Sequence, residues 1–221
     1  MKNYNKKIII IVVVAVSLAC YAIYSKLSLK SALDNTISYY DKINYNTNIK
    51  LKISNKDVSS TINYNCVKSG NIEEILIENT ENKKIKNRIL KLRVKTQEKI
   101  ETYVYNGEKY VAQKDESKDF FINYKSLKNK ILYIKSKFGN MYIVKMKAKD
   151  AYNLIYDKEI LTNKDTNKSI NVTLIVDNKN NFIKNISYTI DDIGKNKMKY
   201  KVKIENNDIN NNNKLQIPVT D

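Results

Sequence analysis

The stretch Ser28–Ser54, SLKSALDNTISYYDKINYNTNIKLKIS, decides the fold, because the period of its apolar residues changes partway along. Leu29, Ala32, Leu33, Ile37 and Tyr40 recur three and four apart, which predicts an amphipathic helix over 28–43 with one apolar stripe. From Ile49 the period drops to two. Ile49, Leu51 and Ile53 alternate with Lys50, Lys52 and Ser54, the pattern of a strand with one buried face. A helix with an apolar stripe and a sheet face that needs a cover are thus adjacent in the chain.

Working outward, the alternation returns repeatedly. Val58, Ser60, Ile62, Tyr64 and Cys66 predict the next strand, and Ser69-Gly70 turns the chain into another over 72–78. After a polar, lysine-rich connection over 79–87, Leu90, Leu92 and Val94 alternate with Lys91, Arg93 and Lys95. Segments 102–105 and 110–113 flank Asn106-Gly107, a strong hairpin signal. A second helix is predicted over 118–138 from Phe120, Tyr124, Leu127, Ile131 and Ile134, capped by Ser117 and stopped at Gly139. A strand over 141–146 and a short helix over 148–156 follow.

Three alternating runs close the chain: Ile170/Val172/Leu174/Val176, Ile186/Tyr188/Ile190 and Met198/Tyr200/Val202/Ile204. Turn formers over 177–181 join the first two. Residues 206–213 read as a polar loop, and 215–218 as an edge segment ended by Pro218.

Successive strands with short turns predict an α+β fold: a curved antiparallel sheet forming an unclosed half-barrel around two to three helices. The apolar strand faces exceed what two helices need to cover, so a greasy cavity or groove is expected on the inner side. Its candidate lining is Leu33 and Ile37 from the helix and Ile62, Tyr64, Leu90, Leu92 and Val94 from the first strands. Val172, Leu174, Ile186, Tyr188, Tyr200 and Val202 complete it from the last ones.

Ahead of all this, Ile8–Tyr24 carries no charge, Pro or Gly and is entered from Lys6-Lys7. At about 17 residues it stands at the short limit of a spanning helix and within reach of a signal-peptide core. The amino-terminal lysines favour a cytoplasmic start, which puts the rest outside the cell membrane. Two forms of tether remain open. Ser17-Leu18-Ala19-Cys20 resembles a lipobox, with Cys20 as the lipid attachment site. An uncleaved anchor accounts better for the apolar run continuing through Tyr21–Tyr24. Residues 1–26 are therefore read as the membrane segment and 27–221 as one extracytoplasmic domain.

The net charge of +17 raises the question of polyanions. Arg88 and Arg93 are the only arginines, and lysine is spread along the strands, so nucleic acid is not an expected partner. A solvated basic surface accounts for the charge, with attraction to anionic lipids or wall polymers as the alternative. Without histidine the usual general base is missing. Glu73-Glu74 and Asp191-Asp192 are neighbours that point to opposite strand faces. Asp115, Glu116 and Asp119 read as a charged first helical turn. Tyr103, Tyr105 and Tyr110 read as cross-strand aromatic pairing rather than a stacking platform. Cys66 shares an apolar face with Ile62 and Tyr64 and reads as a buried thiol. No enzymatic activity, cofactor or metal is expected.

The order of elements, with Tyr105-Asn106-Gly107-Glu108-Lys109-Tyr110, Met141-Tyr142-Ile143-Val144, Leu174-Ile175-Val176-Asp177 and Leu215-Gln216-Ile217-Pro218, resembles the LolA-like lipoprotein carrier fold over residues 28–218. That resemblance implies an open barrel with a helical lid over a cavity for acyl chains or a partner segment. Within the family the chain resembles, more than the soluble periplasmic carriers, the LolA-like lipoproteins of Gram-positive bacteria, among them the clostridial germination lipoproteins of the GerS type. The resemblance to these implies a spore-envelope protein that binds and supports a cortex amidase, a cell-wall hydrolase. Handling of lipid or lipoprotein is the alternative, and a polyanion- or wall-binding module is the third.

Overall fold

A computed structural model describes residues 2–40, 44–57, 59–81, 84–114, 121–155, 168–191, 198–207 and 215. Helix α1 (Lys2–Tyr40) leads into a meander of six strands: β1 (Tyr45–Ser54), β2 (Ser59–Ser69), β3 (Ile72–Glu81), β4 (Lys84–Lys95), β5 (Ile100–Tyr105) and β6 (Tyr110–Gln113). Helix α2 (Tyr124–Lys130) links these to β7 (Tyr133–Phe138) and β8 (Met141–Lys147). Helix α3 (Ala148–Tyr152) and strands β9 (Ser169–Asp177), β10 (Phe182–Asp191) and β11 (Lys199–Asn207) follow.

The eleven strands among the described residues form one antiparallel sheet in the order β6-β5-β4-β3-β2-β1-β11-β10-β9-β8-β7. Two meanders are joined where β1 pairs with β11, Ile49 opposite Ile204 and Leu51 opposite Val202. The sheet is curved and unclosed, since β6 and β7 end it on opposite sides. Between those two edges in the chain lies α2, whose Tyr124 and Leu127 pack into the core on the inner face.

The alternation read from sequence is what buries that face. Ile49 and Leu51 on β1, Val172, Leu174 and Val176 on β9, Ile186 and Ile190 on β10, and Val202 and Ile204 on β11 all join one core. Leu29, Ala32 and Leu33 of α1 pack into it, with Leu127 of α2 and Ala151 of α3. The Tyr188 hydroxyl donates to the Ala151 carbonyl at 2.9 Å, and Tyr152 meets Tyr200 edge-on at 5.6 Å, which fixes α3 on the sheet. Asn206 ties three more elements together. Its Nδ2 donates to Tyr124 Oη and the Ile183 carbonyl, each at 2.6 Å, and its Oδ1 accepts from Thr47 Oγ1 at 2.7 Å.

Several expectations need correction. The membrane segment and the amphipathic helix are one continuous α1, and Ser25 is the first buried residue from Lys7 onward. Of the helix expected over 118–138, residues 118–120 lie outside the described residues, and among the rest Tyr124–Lys130 is helical. The second half of that span is edge strand β7, and Gly139, at φ +57°, turns the β7–β8 hairpin instead of capping a helix. Of the polar connection expected over 79–87, residues 79–81 belong to β3 and 84–87 to β4. Asn206 and Asn207, expected in a polar loop, end β11 instead.

The Asn106-Gly107 hairpin has a four-residue loop. Tyr105 pairs with Tyr110, and Asn106 Oδ1 accepts from the Glu108 and Lys109 amides at 3.0 and 2.9 Å. Residues 216–218 and the cluster Asp115, Glu116 and Asp119 lie outside the described residues.

Candidate functional site

The inner face is the side on which helices and sheet meet, and its register sorts it into ranks across the strands. Ile204, Ile49, Tyr64, Ile77 and Ile89 form one such rank on β11, β1, β2, β3 and β4. Along it burial falls away. Ile204, Ile49 and Tyr64 are buried, whereas Ile77 and Ile89 are half-buried. In the next rank Leu51 is buried and Ile62 is half-buried. The helices thus cover the inner face from β8 to β1 and thin out over β2–β4, where Ile62, Ile77 and Ile89 form an aliphatic ramp.

Toward the end of the sheet where β1 begins, the inner face turns ionic. Tyr45, Lys68, Glu73, Arg93 and Thr102 stand directly opposite one another on β1 to β5, and all are buried. Glu73 accepts from Arg93 Nη1 at 3.1 Å, from the Tyr45 hydroxyl at 3.0 Å and from the Phe121 amide at 3.1 Å. The Lys68 ammonium lies 5.7 Å from the Tyr45 ring centroid, within cation–π range. Burial pushes the Glu73 carboxyl above its ordinary range, and Arg93 and the hydrogen bonds only partly offset it. Phe121 closes the rank from above, with its ring 5.1 Å from that of Tyr64.

This arrangement is built for structure rather than turnover. Glu73 is saturated with donors, and burial also pushes the neighbouring Cys66 thiol well up, away from nucleophilic thiolate. Among the described residues no group of three or more His, Cys, Asp or Glu could hold a metal ion.

The predicted lining residues separate into three sets. Leu33, Tyr64, Val172, Leu174, Ile186, Tyr188, Tyr200 and Val202 face inward but are sealed in the core. Ile37 and Ile62 are half-buried against it. Leu90, Leu92 and Val94 lie on the opposite face, in register with Leu76, Glu74 and Ile72. Ile72, Leu92 and Val94 form a satellite cluster there, with Tyr103, Tyr110 and Leu215 packed on it. The inward residues of β4 are Ile89, Lys91 and Arg93, so the apolar alternation of that strand marked its outer side. Tyr105 and Tyr110 pair across the hairpin with ring centroids 5.4 Å apart. Cys20 is exposed on α1.

Two further features were missed. The Glu73–Arg93 pair had a faint signal: each of the two arginines faces a glutamate of β3, Arg88 to Glu78 and Arg93 to Glu73. On the outer face of β8–β11 a shallow groove of about 660 Å³ is lined in part by Lys145, Lys168, Lys201 and Lys203, with Asp191 its one carboxylate.

No family model matches the chain, and no curated protein matches it. Solved structures to which the chain is similar include a LolA superfamily protein from Nitrosomonas europaea, at 10% identity and a TM-score of 0.36, over 86% of this chain and 94% of that one. A DUF1329 family protein from Desulfovibrio piger is similar at 10% identity and a TM-score of 0.34, over the same shares of the two chains.

Proposed function

We propose that the chain is a membrane-tethered, extracytoplasmic binding protein that performs no catalysis and receives an apolar segment on the open part of its inner face. The observation that carries this reading is the ramp Ile62–Ile77–Ile89, aliphatic and half-covered beside the buried core residues Ile49, Leu51 and Tyr64. An acyl chain, or the apolar stripe of a partner, would complete that burial at about 25 cal/mol per Å² covered. The tether is α1, whose segment from Lys7 is long and apolar enough to cross a membrane. The finer form, a germination-type envelope lipoprotein that supports a cortex amidase, rests on the sequence resemblance alone.

Native mass spectrometry of the full chain released from detergent tests the lipid form. A stoichiometric adduct of lipid mass that disappears in Ile77→Glu supports an acyl occupant. If no adduct forms and the wild type captures a cortex amidase through the same isoleucines, the occupant is a protein. If neither binds and Ile77→Glu changes nothing, the ramp is not a site.

The lysine-lined groove favours a second reading, a wall- or polyanion-binding module. Its mark is binding to teichoic acid that weakens steeply with salt.

A further inference from the structure

We propose that the β7–β8 edge of the sheet, led by Phe138 and Met141, rests in the headgroup layer of the bilayer that α1 enters. The proposal depends on the tether reading above and adds a second point of membrane contact.

Three observations converge on this edge. First, it is pinned to the apolar helix. The Tyr21 hydroxyl donates to the Lys137 carbonyl at 2.9 Å, and the Lys137 ammonium lies 4.3 Å from the Tyr24 ring centroid and 5.0 Å from that of Tyr142. The Ser28 and Tyr142 hydroxyls share a further hydrogen bond. Tyr21 precedes the end of the apolar run at Tyr24 by three residues, about 5 Å of helix rise. The hairpin is therefore held at the depth where hydrocarbon gives way to headgroups, whether α1 spans the bilayer or a lipid on Cys20 anchors it.

Second, the exposed apolar residues gather there. Among the described residues outside α1, the large exposed apolar ones are Ile85, Tyr105, Val111, Leu132, Tyr133 and Phe138. Leu132 and Tyr133 stand at the start of β7 and Phe138 at its end, and Phe138 is the most exposed of these at 63%. Phe138 stands opposite Met141, and Met141 opposite Ile175, so an apolar stripe runs inward from the edge on the outer face. Farther along, the same face carries Ser136, Ile143, Thr173 and Ser187, then Tyr133, Lys145 and Asn171. The rung that is apolar across β7, β8 and β9 is the one beside Lys137, where the helix is pinned.

Third, the charge and side-chain types fit an anionic interface. Tyr21, Tyr24 and Tyr133 are of the kind that collects at the membrane–water boundary, Phe138 adds an apolar ring, and Lys135 and Lys137 stand between Tyr133 and Phe138. Lysines on an edge strand also discourage strand-to-strand association. Exposed Leu132, Tyr133 and Phe138 would promote it, so edge protection alone does not account for this composition.

The chain has no tryptophan, which makes a single introduced indole a clean reporter. Phe138→Trp, Val14→Trp and Tyr105→Trp are placed separately in the full chain. Each is reconstituted in nanodiscs of phosphatidylcholine and phosphatidylglycerol with brominated acyl chains. The proposal expects blue-shifted, quenched emission at 138 and 14 and aqueous, unquenched emission at 105. Met141→Trp, one rung away, should repeat the result at 138. Quenching at 14 with aqueous emission at 138 and 141 overturns the proposal and leaves the tether standing. No quenching at 14 removes the tether, and the proposal falls with it. Equal quenching at all positions, 105 included, overturns the assignment of this edge.

Discussion

Glu73 on β3 and Arg93 on β4 stand directly opposite each other and form an ion pair at 3.1 Å, with side chains 0% and 3% exposed. Such a pair stabilises little relative to apolar residues of similar size, yet losing one partner strands the other without water, at a cost of about 3–5 kcal/mol. Glu73→Leu and Arg93→Met are each expected to lower the urea midpoint of the full chain in mild detergent sharply. The double variant should recover most of that loss. A double variant no better than the weaker single would show that packing around the rank, not charge, sets the cost.

The same carboxyl makes stability depend on pH in a definite direction. Burial raises the folded-state value of Glu73 above its ordinary 4.5. Between that value and the raised one the native state holds more protons than the unfolded chain, so stability from this group is complete below 4.5 and is lost as pH rises through the folded value. Glu73→Gln does not titrate. Wild type should exceed it most on the acid side, and the gap should narrow toward neutrality. Unfolding midpoints of both proteins across about pH 4 to 8 measure this; a gap that widens with pH would reverse the sign.

How much was legible follows from the same strands. Where a strand has one face on helices and one in water, as at Ile49–Lys50–Leu51–Lys52, alternation gave both the element and its orientation. It failed at β4, whose outer side carries Leu92 and Val94 under Leu215 while its inner side carries the Arg93 ion pair. Periodicity cannot tell which of two covered faces is the inner one. At β7 the cause is a register shift between Ile134 and Ser136, which breaks the two-residue period. Tyr124, Leu127, Ile131 and Ile134 then look helical across a helix–strand boundary. The β3–β4 extension escaped because none of Asn79, Thr80, Glu81, Lys84, Ile85 and Asn87 is buried, so neither face has to be apolar. The ramp was partly visible in Ile62. The ionic rank and the membrane edge depend on pairings between distant strands, which no local pattern encodes.

Asn206 joins β11 to β1, β10 and α2 through three hydrogen bonds of 2.6 to 2.7 Å. Asn206→Leu is close in size but removes two donors and one acceptor from a site only 4% exposed. A loss on the order of 3 kcal/mol is expected, since buried polar groups left without a bond cost about 1–3 kcal/mol each. Thermal melts of the two proteins give the comparison. A change below about 0.5 kcal/mol, within the range of ordinary surface substitutions, would show that other groups satisfy these partners.

The form of the tether can be read chemically. The apolar run continues past Cys20 through Tyr24, as an uncleaved anchor requires. The purified protein is expected to retain residues 1–19 by intact mass and to take up no palmitate analogue. Label present in wild type and lost in Cys20→Ala would establish lipidation at that residue instead.

On the outer face, Lys50 stands opposite Lys203 and Lys52 opposite Lys201. Like charges in directly opposed positions destabilise a sheet by a few tenths of a kcal/mol, up to about 1 kcal/mol. Lys201 and Lys203 also line the groove, where an anionic ligand would offset that repulsion. Lys201→Thr is therefore expected to act in two directions: a slightly higher unfolding midpoint, and weaker retention on immobilised teichoic acid with a shallower dependence on salt. Greater stability with unchanged retention would leave the lysines as a solvated surface and remove the polyanion reading.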